Sequence, residues 1–135
     1  MPISRLAAKL QIKPGQRIVI INPPPGYINE LGQLPEGVEM ADQPTGKFDF
    51  VHLFARNTEE LNRLAPKAIR AVSPDGLLWI SYPKGSSGIQ SDLTRDAGWD
   101  ILHEAGLENV NQVSINEVWS AGRFRPVQQV TRKKV

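Results

Sequence analysis

Cysteine is absent from the 135 residues and histidine occurs only twice. The first absence excludes disulfides, thiol nucleophiles and thiolate zinc sites, and the second leaves no His-rich metal site. No run approaches the roughly 18 apolar residues of a membrane span. The opening Met1-Pro2-Ile3-Ser4-Arg5-Leu6 lacks the apolar stretch of a signal peptide. With 40% hydrophobic and 22% charged residues, the composition is that of a globular chain. One domain over 1–135, built on one core and residing in the cytoplasm, is the expectation.

Acidic residues are missing from the C-terminal stretch. All 14 lie at or before Glu117, so the net charge of +2 conceals a gradient. Beyond that point stand Arg123, Arg125, Arg132, Lys133 and Lys134. Residues 128–135 read as a flexible basic tail. Such a tail can meet phosphates or an acidic partner. Without interleaved aromatic rings it does not make a nucleic-acid surface, and a solvated terminus explains it equally well.

Strand and helix patterns alternate along the chain. Ser4 caps a short helix to Leu10, and Arg17-Ile18-Val19-Ile20-Ile21 is a β-branched run suited to a strand buried on both faces. Asn22-Pro23-Pro24-Pro25-Gly26-Tyr27 stops it, because three prolines offer no N–H to a ladder. A short helix from Ile28 to Leu31 and a weak strand, Val38 to Ala41, follow. Phe48 to Ala55 is a third strand. Asn57 or Thr58 then caps a helix whose Leu61, Leu64, Ala65, Ala68, Ile69 and Val72 share one face. Ser73-Pro74-Asp75-Gly76 turns into a fourth strand, Leu77 to Tyr82. Ser91 or Asp92 caps a helix to Ala105, stopped by Gly106, with Leu93, Ala97, Ile101, Leu102 and Ala105 inward. Val110 to Val118 and Ala121 to Val127 close the chain as an antiparallel pair joined at Trp119-Ser120. This order specifies a three-layer α/β fold, an open twisted sheet that is mostly parallel with an antiparallel C-terminal strand pair.

The segment Ala71-Val72-Ser73-Pro74-Asp75-Gly76-Leu77-Leu78-Trp79-Ile80-Ser81-Tyr82-Pro83-Lys84 resembles a helix–turn–strand unit of S-adenosylmethionine-dependent methyltransferases. Leu102-His103-Glu104-Ala105-Gly106-Leu107-Glu108-Asn109-Val110 is similar to the helix and strand that follow it there. Across nearly its whole length, from Leu10-Gln11-Ile12-Lys13-Pro14-Gly15-Gln16 to Trp119 and Arg123, the chain resembles small bacterial methyltransferase-like domains of unknown function. The resemblance implies a Rossmann-like fold and no particular reaction.

The departures from that pattern bear on the cofactor. The family places a G-x-G-x-G loop after its first strand, where absent side chains let backbone amides approach the ligand. Here Asn22-Pro23-Pro24-Pro25-Gly26 stands in that place, and only Gly26 matches. The family's ribose-binding acid corresponds to Glu39 or Asp42. One strand–helix unit is missing between Met40 and Phe48. Asn22 to Tyr27 also invites comparison with the Asn-Pro-Pro-Tyr motif of amino-group methyltransferases. Its spacing is wrong by two residues, and a rigid proline corner accounts for it.

A second candidate site lies in the loops at the carboxyl ends of the parallel strands, where open α/β sheets bind ligands. Arg56 and Lys84 end adjacent strands, and Asn57, Ser86 and Ser87 lie beside them. Together they suit a small anion or phosphometabolite. The competing expectation pairs Arg56 with Asp92 or Glu59. His52 reads as a core histidine with one bonded nitrogen, and His103 as exposed. Trp119 to Arg123 reads as a functional edge or a hairpin turn. The weak second strand leaves a sheet edge open, so a homodimer is expected and a membrane is not.

Three readings follow. The first is a non-catalytic domain acting through protein contacts or a small anionic ligand, with no cofactor. The second is a methyltransferase with an altered cofactor loop that still takes S-adenosylmethionine. The third is a nucleic-acid accessory protein using its basic tail.

Overall fold

A computed structural model describes residues 3–126. The basic tail expected at 128–135 lies outside the described residues. Six strands form one sheet in the order β2-β1-β3-β4-β6-β5. β1 (Arg17–Ile21) is parallel to β2 (Glu39–Ala41) on one side and to β3 (Phe48–Phe54) on the other. β4 (Val72–Pro83) continues the parallel set, and β6 (Trp119–Pro126) runs antiparallel between β4 and β5 (Leu107–Ser114). The sheet is open and mixed, as the strand pattern predicts.

Helices cover both faces. α1 (Arg5–Lys9) and α2 (Tyr27–Leu31) bury Ala7, Leu10, Tyr27 and Leu31 against Ile18, Phe50 and Trp79. α3 (Thr58–Ala71) and α4 (Asp100–Glu104) bury Leu61, Leu64, Ala65, Ala68 and Leu102 against Val51, Leu78 and Phe124 on the other face. The caps follow the sequence. Ser4 Oγ accepts from the Ala7 amide at 2.9 Å, and Asn57 Oδ1 accepts from the Glu60 amide at 2.9 Å. Both satisfy amides that a helix start leaves open. Residues 42–47 cross directly from β2 to β3, so the missing strand–helix unit is a loop.

Four features differ from the sequence reading. Residues 73–76 do not leave the sheet; they stay in β4, and the register with β3 shifts between Phe48 and Phe50. A Cβ at Gly76 would lie 3.0 Å from the carbonyl oxygens of both Phe48 and Asp49, so only glycine permits that approach. The helix expected from Ser91 or Asp92 is only Asp100–Glu104. Asp92 caps nothing of its own: its carboxylate takes the Thr58 amide at 2.9 Å and hydroxyl at 2.5 Å, and so belongs to the start of α3. Ala97 and Ala105 are therefore exposed rather than inward. The last two strands meet not at Trp119-Ser120 but across residues 115–118, where Asn116 Oδ1 collects the amides of Val118 and Trp119. Trp119 to Arg123 is neither turn nor edge; it lies in β6, between two strands.

The two edges are unlike. β2 is three residues long. β5 has eight, but it is bulged between Asn109 and Asn111. Its Asn111 and Gln112 amides donate to the side chains of Asn109 and Asn111.

Gly98 holds the irregular segment against α3. Its φ is +101°, and a Cβ would sit 2.7 Å from Thr58 Cγ2 and 2.8 Å from Leu93 Cδ1. Gly98→Ala is expected to cost about 2–4 kcal/mol through backbone strain and overpacking. Gly106 has φ +81° but nothing within 4 Å of its Cβ position. Gly106→Ala should cost only about 1 kcal/mol. Urea unfolding of both variants checks the difference, and equal midpoints would show that the contacts of Gly98 do not matter.

Candidate functional site

The carboxyl ends of β1 and β3 meet at a corner built around one carboxylate. Glu60, in the first turn of α3, is only 8% exposed. Its Oε1 accepts from the Arg56 amide at 2.8 Å and from Asn22 Nδ2 at 3.0 Å. Its Oε2 meets Arg56 Nη2 at 3.1 Å. Burial pushes the Glu60 pKa up, but the bonds and charge of Arg56 and the bond from Asn22 outweigh it and hold the carboxyl below its usual range. Asn22 also donates to the Phe54 carbonyl at 2.9 Å. It reaches that position with a left-handed φ of +61°, which asparagine tolerates better than most residues.

This corner differs from a glycine-rich cofactor loop. Pro23, Pro24 and Pro25 have no N–H, and the Tyr27 amide is used on the Pro24 carbonyl at 3.1 Å. The cleft lined by Asn22, the three prolines, Arg56 and Trp119 has a volume of about 170 Å³. Sites for ligands of drug size run to roughly 300 Å³ and more. Asp42 is exposed just past the carboxyl end of β2, where the resemblance puts the ribose-binding acid. Glu39 opens β2 opposite Arg17, at the other end of the strand. Asn22 and Tyr27 do not form an amine-binding pair either. Tyr27 is 1% exposed and points its hydroxyl at His52 Nδ1, 3.3 Å away.

The cations of the expected anion site have separate partners. Arg56 is engaged by Glu60, one residue beyond the Glu59 considered from the sequence. Lys84 Nζ donates to Ser114 Oγ at 2.6 Å. Asn57 caps α3, and Ser87 Oγ accepts from the Ile89 amide at 3.1 Å. Of the expected residues, Lys84 and Ser86 line a cleft of about 410 Å³ at the end of β4. Arg56 lines the small corner cleft. Tyr82, Arg95 and Gln112 also line the larger cleft and escape the sequence reading, whereas Ser120 falls in the expected Trp119 to Arg123 edge. Lying next to Pro83 and Lys84 was the one available signal for Tyr82; Gln112 and Ser120 arrive through strand register, and Arg95 through the irregular segment before α4.

His52 is fully buried, with both ring nitrogens in contact rather than one. Nε2 faces Ser81 Oγ at 2.7 Å and Nδ1 faces Tyr27. Burial drives its pKa down to about 3, so the ring is neutral and serves the core. His103 is exposed on α4. Arg123 and Arg125 lie in β6, whereas Arg132, Lys133 and Lys134 lie outside the described residues. Among the described residues there is no cluster of three metal-ligating side chains and no helix long and apolar enough to cross a membrane.

The architecture is that of a methyltransferase-like, Rossmann-like α/β domain. A ribosomal protein L11 methylase from Lactobacillus delbrueckii subsp. bulgaricus superposes over 90% of this chain and 74% of its own, with a TM-score of 0.56 and 12% identity. DhpI in complex with SAH matches 90% of this chain and 80% of its own, with a TM-score of 0.58 and 13% identity. LepI in complex with SAM matches 90% of this chain over 39% of its own, with a TM-score of 0.53 and 16% identity. At such identities the likeness defines the fold alone. No family model and no curated protein matches the chain.

Proposed function

We propose that this protein is a non-catalytic methyltransferase-like domain that works by binding other molecules. The observation that carries this reading is the corner at the ends of β1 and β3. Three prolines occupy the loop, and the chain's own Glu60 takes the Arg56 amide, its guanidinium and the Asn22 amide. An amide and a cation at a strand end are what an anionic ligand group would use. Here an internal carboxylate uses them instead. The competing reading, a methyltransferase with an altered loop, has Asp42 at the end of β2 in its favour.

Calorimetric titration separates the two. S-adenosylmethionine and S-adenosylhomocysteine are expected to give no binding heat at millimolar concentration. Micromolar affinity that weakens in the Asp42→Ala protein would establish the competing reading instead.

A further inference from the structure

The segment that replaces the expected helix arches over the end of β4 and roofs the cleft of about 410 Å³ described above. Its volume is within the range of small-molecule sites. The floor is made by the sheet. Tyr82 and Ser120 are register partners across β4 and β6, and Gln112 of β5 donates its side-chain amide to the Tyr82 hydroxyl. The Tyr82 ring packs edge-on against Trp99, with centroids 5.4 Å apart. Leu93 is fully buried beneath the roof, and Ile89 is 38% exposed at the mouth.

Charge in this cleft has one sign. Lys84 and Arg95 line it, and no lining residue is acidic. Lys84 has a neutral partner, Ser114. The Arg95 side chain pairs with its neighbour Asp96, at 3.4 Å, with both side chains more than two-thirds exposed. Such a pair is weak and readily exchanged. An apolar floor with a few convergent hydroxyls and an amide, flanked by two cations, matches one chemical class. We propose that this cleft binds a small organic anion. A ring-sized apolar body would lie against Ile89 and the edge of Tyr82, and a carboxylate or phosphate monoester would face Lys84 and Arg95. The inference is independent of the reading of the Asn22–Glu60 corner, because the two places share no lining residue.

The test uses four probes on the intact protein: benzoate, phenyl phosphate, uncharged benzyl alcohol and inorganic phosphate. Binding is read by tryptophan fluorescence in a protein whose Trp79 and Trp119 emission is checked against a Trp99→Phe variant, and by NMR shifts of the Gln112 side-chain amide. Benzoate or phenyl phosphate should saturate both signals, with benzyl alcohol and inorganic phosphate at least about tenfold weaker, the loss expected when one ion pair or the apolar body is removed. Lys84→Ala and Arg95→Ala should each weaken binding about tenfold and remain folded, since neither side chain is in the core. Gly85 lines the mouth and has nothing within 4 Å of its Cβ position. Gly85→Trp should therefore abolish binding without lowering the melting temperature. Equal affinity for all four probes, full binding in the double cation variant, or no saturable binding of either aryl anion would overturn the proposal.

Discussion

Acidification from pH 7 is expected to destabilise the protein by on the order of 4 kcal/mol, and most of that loss traces to His52. Its folded pKa is lowered to about 3 from an ordinary 6.5 by burial. Below 6.5 the unfolded chain takes up the proton and the folded one does not. Stability present above that value is lost progressively as the pH falls toward 3. The groups facing the ring are Tyr27, Ser81 and the Phe50 and Phe54 rings, with no carboxylate among them to hold a charged imidazole. Glu60 adds to the loss only below its ordinary value of 4.5, because its folded pKa is lowered. The window from about pH 6.5 to 5 therefore isolates the histidine. Urea unfolding at half-unit pH steps measures the slope. His52→Phe should flatten it in that window while lowering stability at pH 7, since the Ser81 and Tyr27 hydroxyls lose their partner. An undiminished slope in the variant would show that some other group titrates.

Trp79→Ala should cost about 3–5 kcal/mol, a large share of the 5–15 kcal/mol typical of a domain. The indole is fully buried in the middle of β4, and its Nε1 donates to the Leu10 carbonyl at 3.0 Å across 69 positions of sequence. Truncation removes the largest fully buried side chain of the sheet face that carries α1, and it leaves that carbonyl without its donor. Trp79→Phe restores most of the volume but not the hydrogen bond, so its cost should fall near about 1–3 kcal/mol. Urea midpoints at constant m-value decide the matter. A cost below about 1 kcal/mol for Trp79→Ala would show that α1 is not anchored through this ring.

What could be read from the sequence follows from where each signal is local. Arg17 to Ile21 forms β1 with the expected bounds, because a β-branched run buried on both faces has no other comfortable use. α3 is equally plain, since Asn57, the acids after it and the apolar spacing all agree. The segment before α4 misleads because Asp92, a good helix cap by type, is claimed by Thr58 from another element. The corner is not legible in the sequence, which pairs Arg56 with Asp92 or Glu59 instead of Glu60. Arg56 and Glu60 stand four residues apart, yet the choice between Glu59 and Glu60 depends on which one turns toward Asn22. Gln112 could not be found at all, because the bulge between Asn109 and Asn111 decides which residue of β5 lies near Tyr82.

That bulge has a further consequence. Where Asn109 and Asn111 capture successive amides of their own strand, a neighbouring strand finds donors already used. Among the described strands β2 is the edge without such a bulge. A sheet with one usable edge can join another copy once, and the joined pair then has no edge left to offer. Strand-to-strand association confined to β2 would end in a closed twofold pair and would not propagate into a filament.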